Sequence, residues 1–166
     1  MFKKGSYVVY RKEVCVISDI INKYYNDEDY YILTPISDET LTIKVPVSDK
    51  NNSIRDLINK DNVELIIKKI PEIGIVNENE KLIENEYKKL MLSGTYDDLI
   101  KIIKTTYLRN KKRIDSNKKV GDKDKYYLDQ AEKYLYTEFS IALDKTFDET
   151  KDYVINKVEE LLLGEV

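Results

Sequence analysis

The segment Ser6-Tyr7-Val8-Val9-Tyr10 is rich in β-branched and aromatic residues and lies between Gly5 and the charged pair Arg11-Lys12. A run of this composition, bounded by turn-forming or charged residues, is typical of a β-strand. Three further segments have the same character: 14–21, 30–34 and 40–45. Four short strands at this close spacing predict a small antiparallel barrel or curled sheet of SH3-like or Tudor-like size.

Helical patterns replace the strand pattern in the rest of the chain. Ser53-Ile54-Arg55-Asp56 has the form of a capping box, which predicts the start of a helix, and Thr95 and Thr146 are predicted N-caps. Each amphipathic helix must bury its apolar stripe, so several in succession predict a compact bundle. The stripes are Val63, Ile66, Ile67 and Ile70; Leu82, Tyr87, Leu90 and Met91; Leu99, Ile102, Ile103 and Tyr107; Leu128, Ala131, Leu135, Phe139 and Ala142; and Val154, Val158, Leu161 and Leu162.

These two patterns predict an α+β protein, in which a small N-terminal antiparallel β barrel is followed by an all-helical C-terminal bundle. The stretch Pro71-Glu72-Ile73-Gly74-Ile75 interrupts the helical spacing, because proline and glycine together break it. We therefore expect a Tudor-like domain over residues 1–70, a linker over 71–76 and a helical domain over 77–166.

The composition argues against an enzyme. The chain has no histidine, which excludes Ser-His-Asp and Cys-His catalysis and the usual zinc sites. Its five glycines form no phosphate-binding loop, and Cys15, the only cysteine, lies in an apolar run where a buried, unreactive thiol is expected. We expect no catalytic residues, metal, cofactor or small-molecule substrate. A deep pocket lined by carboxylates would be the exception.

The chain also lacks the signals of secretion and membrane insertion. Its first residues are basic, but no apolar segment follows them as in a signal peptide. No stretch approaches the roughly 18–20 uncharged apolar residues of a membrane span. The prediction is a cytoplasmic protein without a membrane partner.

Positive charge is concentrated in residues 101–126. This segment has ten basic and three acidic side chains, a net charge of +7 in a chain whose total is −3. Such clusters bind backbone phosphates by releasing counterions, and the interleaved Tyr107, Tyr126 and Tyr127 can add stacking. A solvated helix face and a surface for an acidic protein partner are the alternatives that charge alone leaves open.

Several motifs, in this order and at these spacings, resemble the CarD family of bacterial transcription regulators. The resemblance covers nearly the whole chain, and its opening is residues 2–10, which match the family's F-x-x-G-x-x-V-V-Y. The other matching segments are Thr42-Ile43-Lys44-Val45-Pro46, Ile54-Arg55-Asp56, Leu92-Ser93-Gly94, residues 103–109, Asp124-Lys125, Ala131-Glu132-Lys133 and residues 138–143.

The resemblance implies two binding functions and no chemistry. A Tudor-like N-terminal domain would dock on the RNA polymerase β subunit, and a helical C-terminal domain would contact promoter DNA near the upstream edge of the −10 region. Together they would tune the stability of the open promoter complex. Lys23 and Lys44 lie where the family has basic polymerase-contacting residues, although both are lysines where arginine is familiar. The predicted DNA-binding residues are Lys81, Lys88, Lys89, Arg109, Arg113, Lys123 and Lys125.

The chain departs from the family at one important position. Well-known members insert a tryptophan into the minor groove, whereas this chain has no tryptophan and has Glu80 or Lys81 near that place. Tyr87 is the candidate substitute, but its position in an apolar stripe favours burial. We therefore expect DNA contact to depend largely on phosphates. A protein–protein adaptor with the same β module and little or no DNA binding is the alternative function.

Overall fold

The computed structural model describes residues 1–164, with side chains described as far as residue 162. The chain divides into two compact units, a sheet unit over Met1–Leu57 and a helical unit from Ile58 onward. Within the described residues, no helix is long and apolar enough to cross a lipid bilayer.

The sheet unit contains five antiparallel strands. They are β1 (Tyr7–Tyr10), β2 (Glu13–Tyr25), β3 (Glu28–Pro35), β4 (Ile43–Pro46) and β5 (Ile54–Asp56). Their order is β4-β3-β2-β1-β5, so β4 and β5 lie at opposite edges. The four predicted strands and their antiparallel arrangement are confirmed. The sheet has five strands and is not a closed barrel, so the barrel form of the prediction is wrong. Its core consists of Val8, Cys15, Ile17, Tyr31, Leu33, Val45 and Ile54.

The fifth strand lies where the sequence predicted the start of a helix. The Asp49 carboxylate accepts the Ser53 hydroxyl at 2.6 Å and the Ile54 backbone N–H at 3.0 Å. Ser53 is therefore bonded to a residue before it, and Ile54–Asp56 pairs with β1 instead of opening a helix. The capping-box interpretation of residues 53–56 is wrong because Asp49 supplies the competing acceptor.

The helical unit contains α1 (Lys60–Lys69), α2 (Ile83–Ser93), α3 (Tyr96–Asp115), α4 (Asp122–Leu143) and α5 (Phe147–Gly164), with a 3-10 turn at Ile70–Glu72 after α1. The predicted caps are confirmed: Thr95 accepts the Asp98 N–H at 3.2 Å, and Thr146 and Glu149 form a reciprocal capping box. Most predicted stripe residues are buried or packed against the core, but Leu82, Tyr107 and Leu162 are exposed.

The boundary between the two units lies between Leu57 and Ile58 and not in the predicted linker over 71–76. Helix α1 buries Val63 and Ile67 in the helical core, and Val76 is buried in the same core. The Val76 N–H donates to Thr105 Oγ1 at 2.8 Å, and Lys104 Nζ donates to the Ile70 carbonyl oxygen at 2.8 Å. Residues 70–76 are thus packed against α3, because apolar side chains on both sides of Pro71 reach one core.

Candidate nucleic-acid interface

The basic segment spans α3 after its first five residues, the connection to α4 and the first five residues of α4. Asn117 follows α3 in the left-handed conformation, with φ 59°. Its N–H donates to the Ile114 carbonyl at 3.0 Å, and the Lys118 N–H donates to the Arg113 carbonyl at 2.7 Å. This pair of bonds is the Schellman arrangement, which turns the chain back at the end of a helix. Lys118 and Lys119 are therefore held near the last turn of α3.

Asp124, in the first turn of α4, is the centre of a buried polar network. Its side chain is 1% exposed and accepts hydrogen bonds from the Tyr87 hydroxyl at 2.8 Å and from Arg109 Nε at 3.0 Å. Arg113 Nη1 also donates to Asp124 Oδ2. Tyr87 belongs to α2 and both arginines belong to α3, so the network joins three helices.

Burial and pairing act in opposite directions on the protonation of this network. Burial acts to raise the pKa of Asp124. The hydrogen bonds from Arg113, Tyr87 and Arg109 together lower this pKa by more than burial raises it, so the net shift is downward. Burial and the hydrogen bond to Asp124 raise the pKa of Tyr87. At neutral pH the network therefore contains an ionised carboxylate, a neutral phenol and two guanidinium groups.

The connection to α4 is built around one arginine. Asn110 Oδ1 accepts hydrogen bonds from Arg113 Nη1 at 3.0 Å and from the Gly121 N–H at 3.3 Å. A Cβ atom at Gly121 would lie 2.4 Å from Arg113 Nη1. An alanine here would therefore make the end of the Arg113 side chain shift, whereas the backbone angle of Gly121, φ −71°, is open to any residue.

Arg109 and Arg113, two of the predicted DNA-binding residues, are held in internal ion pairs. Besides Asp124, both contact Glu80: Arg109 Nη2 donates to Glu80 Oε1, and Arg113 Nη2 lies 3.6 Å from the same oxygen. Their side chains are 23% and 25% exposed. Their first role in this fold is to hold α3 against α4, and DNA contact by either of them stays a prediction.

Four of the five predicted DNA-binding lysines also lie beside carboxylates. Lys88 and Lys123 share Glu84, at 4.0 Å and 3.9 Å, which brings α2 and α4 together at this point. Lys89 is 4.0 Å from Glu86, and Lys125 is 2.8 Å from Asp129. Lys81 is exposed in the turn before α2. The charges of the four paired lysines are therefore partly neutralised, whereas that of Lys81 is not. All five side chains remain at the surface.

Four other lysines of the basic segment lie in a different environment. Lys111 and Lys112 are exposed near the end of α3, and Lys118 and Lys119 are exposed in the connection that follows. Among the ion pairs of the described residues, none involves these four side chains. We call them the lysine cluster. The charge density of 101–126 indicated this cluster, but only the exposure and ion pairing of the side chains in the fold separate it from the rest of that segment.

The segment around Glu80 and Lys81, where the resemblance to the CarD family would place a tryptophan, is a polar turn in this structure. Asn79 Oδ1 accepts the backbone N–H groups of Lys81 at 3.0 Å and Leu82 at 3.1 Å. Glu80 and Lys81 are both exposed in this turn. Tyr87 is fully buried, with its hydroxyl bonded to Asp124, as its apolar stripe predicted. In this conformation Tyr87 does not present an aromatic ring to a ligand.

The predicted polymerase-contacting lysines lie at one region of the sheet unit. Lys44, on the edge strand β4, donates to the Tyr24 hydroxyl at 2.7 Å, and its Nζ lies 4.8 Å from the centre of the Tyr24 ring. Lys23 lies in an irregular part of β2 with φ 50°, and its N–H donates to Asp29 Oδ1 at 2.9 Å. Tyr24 and the neighbouring Tyr25 are exposed aromatic residues at this surface that no sequence pattern predicted.

The comparisons with known proteins do not assign the chain to a family. No protein-family model matches it, and no curated protein matches it. Among the described residues, no group of three or more potential metal ligands occurs.

Proposed function

We propose that the chain is a transcription regulator, similar to the CarD family, that binds the RNA polymerase β subunit and promoter DNA and thereby modulates the stability of the open complex. The observation that carries the proposal is the lysine cluster. Four exposed ammonium groups without carboxylate partners lie at one end of α3, next to two arginines whose charges are already compensated. This arrangement suits a polyanion that contacts the surface through its phosphates.

The DNA contact in this proposal is electrostatic. Lysine ammonium groups contact phosphates as point charges, which orients DNA without reading its sequence. The buried ring of Tyr87 leaves Glu80 and Lys81, both polar, where the resembled family has a tryptophan. We therefore infer modest affinity for duplex DNA and a strong dependence of that affinity on salt.

The polymerase contact is assigned to Lys23 and Lys44, with Tyr24 and Tyr25 beside them. Lys44 combines a positive charge with an aromatic neighbour at the edge of the sheet. Tyrosine is enriched at protein interfaces, where its ring supplies contact area. Lysine is depleted there, so the role of Lys23 and Lys44 in this proposal is to select an acidic partner by charge. Binding to polymerase would hold the DNA-binding unit at a high effective concentration near the promoter, so that a weak DNA contact suffices.

Replacing Lys44 with glutamate is expected to reduce binding to the isolated polymerase β subunit by at least about tenfold, because a charge reversal at an interface adds repulsion to the lost attraction. The measurement is the dissociation constant from biolayer interferometry at low salt. The control is Lys50→Glu, which makes the same charge change at an exposed turn of the same unit. Equal binding by both variants, or no binding by the unmodified chain, would contradict the polymerase assignment.

A protein–protein adaptor with little DNA binding is the second candidate. The pairing of Lys88, Lys89, Lys123 and Lys125 with carboxylates favours it, because it reduces the positive potential of α2 and of the start of α4. The two functions differ in the salt dependence of DNA binding: the regulator requires a steep negative slope, and the adaptor requires none.

A further inference from the structure

Two arginines converge on one exposed carboxylate at the surface of the helical unit. Glu80 is 69% exposed, and its Oε1 atom receives Arg109 Nη2 and lies 3.6 Å from Arg113 Nη2. Arg109 and Arg113 are four residues apart on α3, so their side chains leave the same face of that helix. The carboxylate is therefore clamped between two guanidinium groups on the side that faces solvent.

Asp124 fixes the other side of this clamp. It binds Arg109 through Nε and Arg113 through Nη1, and both bonds end on the same buried oxygen, Oδ2. Each guanidinium group is thus bonded to the buried Asp124 carboxylate through one nitrogen, and its Nη2 atom is directed towards Glu80. A guanidinium group oriented in this way loses little freedom when it binds a second anion.

The charge balance of the group indicates which ligand can take the place of the Glu80 carboxylate. Two guanidinium ions and the Asp124 carboxylate sum to +1, and Glu80 brings the group to zero. A phosphodiester carries one negative charge, as Glu80 does, and offers oxygen acceptors that arginine binds in a fork-shaped contact. A phosphate group can therefore replace Glu80 without leaving an uncompensated charge.

We propose that Arg109 and Arg113 form a binding site for a phosphate group and that Glu80 occupies this site as an internal competitor. The inference rests on the proposed DNA-binding function for its physiological ligand, a backbone phosphate. Glu80 is then an autoinhibitory residue, and the two arginines bind the phosphate when the Glu80 side chain rotates away. Asn79 anchors the start of the turn independently, through its bonds to the N–H groups of Lys81 and Leu82, so the Glu80 side chain can rotate away without unfolding α2.

The test compares Glu80→Gln with Glu78→Gln. Both variants remove one negative charge from the same segment, but exposed Glu78 has no ion pair within the described part of the chain. The first arm titrates each protein with inorganic phosphate and follows the ¹H–¹⁵N side-chain resonances of Arg109 and Arg113. We expect Glu80→Gln to bind phosphate about 3- to 10-fold more tightly than the unmodified chain, because the competing charge-assisted bond is gone.

The second arm measures binding of a fluorescent 20-base-pair DNA duplex as a function of salt. Glu80→Gln is expected to make the slope of log K against log salt more negative by about 0.9, the value for one additional phosphate contact. Identical titrations of Glu80→Gln and Glu78→Gln in the phosphate arm would overturn the site. Tighter phosphate binding without DNA binding by any protein would leave the site standing and reject the proposed function.

Discussion

Replacing Asp124 with asparagine is expected to lower the free energy of unfolding of the helical unit by about 2–4 kcal/mol. The substitution keeps the shape and the hydrogen bond from Tyr87 but removes the buried negative charge that compensates Arg109 and Arg113. This decrease in the free energy of unfolding lies at the lower end of the range for a broken buried ion pair, because both arginines are partly exposed and keep their contacts with Glu80. Urea unfolding followed by the helical circular dichroism signal measures it.

The matched control for this variant is Asp129→Asn on the same helix. Asp129 is exposed and pairs with Lys125, so its replacement is expected to change stability by no more than about 0.5 kcal/mol. A destabilisation by Asp124→Asn as small as that of the control would show that the network does not hold α3 against α4.

The pH dependence of stability gives a second test of the role of Asp124. Because its pKa is lowered in the folded chain, its contribution is fully present above the unfolded value, about 3.9, and is lost as the pH falls through the folded value. The stability difference between the unmodified chain and Asp124→Asn should therefore be largest at pH 7 and shrink below about pH 4. A difference that does not change with pH would assign the effect to packing instead of charge.

The same network can be weakened without removing any charge. Gly121→Ala places a methyl group against Arg113 Nη1, so the end of this flexible side chain must shift away from Asp124, at an expected cost of about 1 kcal/mol. Gly74→Ala is the control, since a Cβ atom there meets nothing within 4 Å. Both glycines have negative φ angles, so neither substitution strains a left-handed backbone, although Gly121 is also the N-cap of α4.

Neutralising the lysine cluster is expected to have the largest effect on binding. Changing Lys111, Lys112, Lys118 and Lys119 together to glutamine should weaken binding to duplex DNA by about 10²- to 10³-fold at 0.1 M salt and make the salt slope less negative by about 3–4. All four are exposed and outside the ion pairs of the described residues, so the free energy of unfolding should change by less than about 0.5 kcal/mol.

A paired comparison separates a local contact from a general effect of net charge. The double variant Lys118→Gln/Lys119→Gln and the double variant Lys60→Gln/Lys68→Gln each remove two positive charges from exposed positions of the helical unit. Only the first is expected to reduce the salt slope by about 2. Equal losses from both pairs would mean that DNA responds to the charge of the whole chain and not to the lysine cluster.

The elements of the fold followed largely from local patterns. The caps at Thr95 and Thr146, the four predicted strands and the apolar helix stripes each depend on residues within about one or two turns, which a sequence displays directly. The error at Ser53 has the same local origin, because a capping-box pattern carries no information about a competing acceptor such as Asp49. Barrel closure depends on pairing between edge strands, which spacing along the chain does not determine.

The candidate site was less predictable because it depends on contacts between distant residues. Arg109 and Arg113 counted as free positive charges in the sequence, whereas Asp124 looked like an ordinary acidic residue in a first helical turn. Their pairing, and the hydrogen bond from Tyr87 to a residue 37 positions away, require the packing of three helices. The sequence therefore located the positive segment correctly but could not separate its structural charges from those available to a ligand.

The most direct test of the proposed function is the lifetime of an open promoter complex formed by bacterial RNA polymerase, measured after addition of a competitor, with and without the chain. We expect the unmodified chain to change this lifetime. Both Lys44→Glu and the four-lysine variant should abolish the change, because each removes one of the two contacts. An unchanged lifetime with saturating chain, or a change that survives both substitutions, would contradict the claim that polymerase and promoter DNA are bound together.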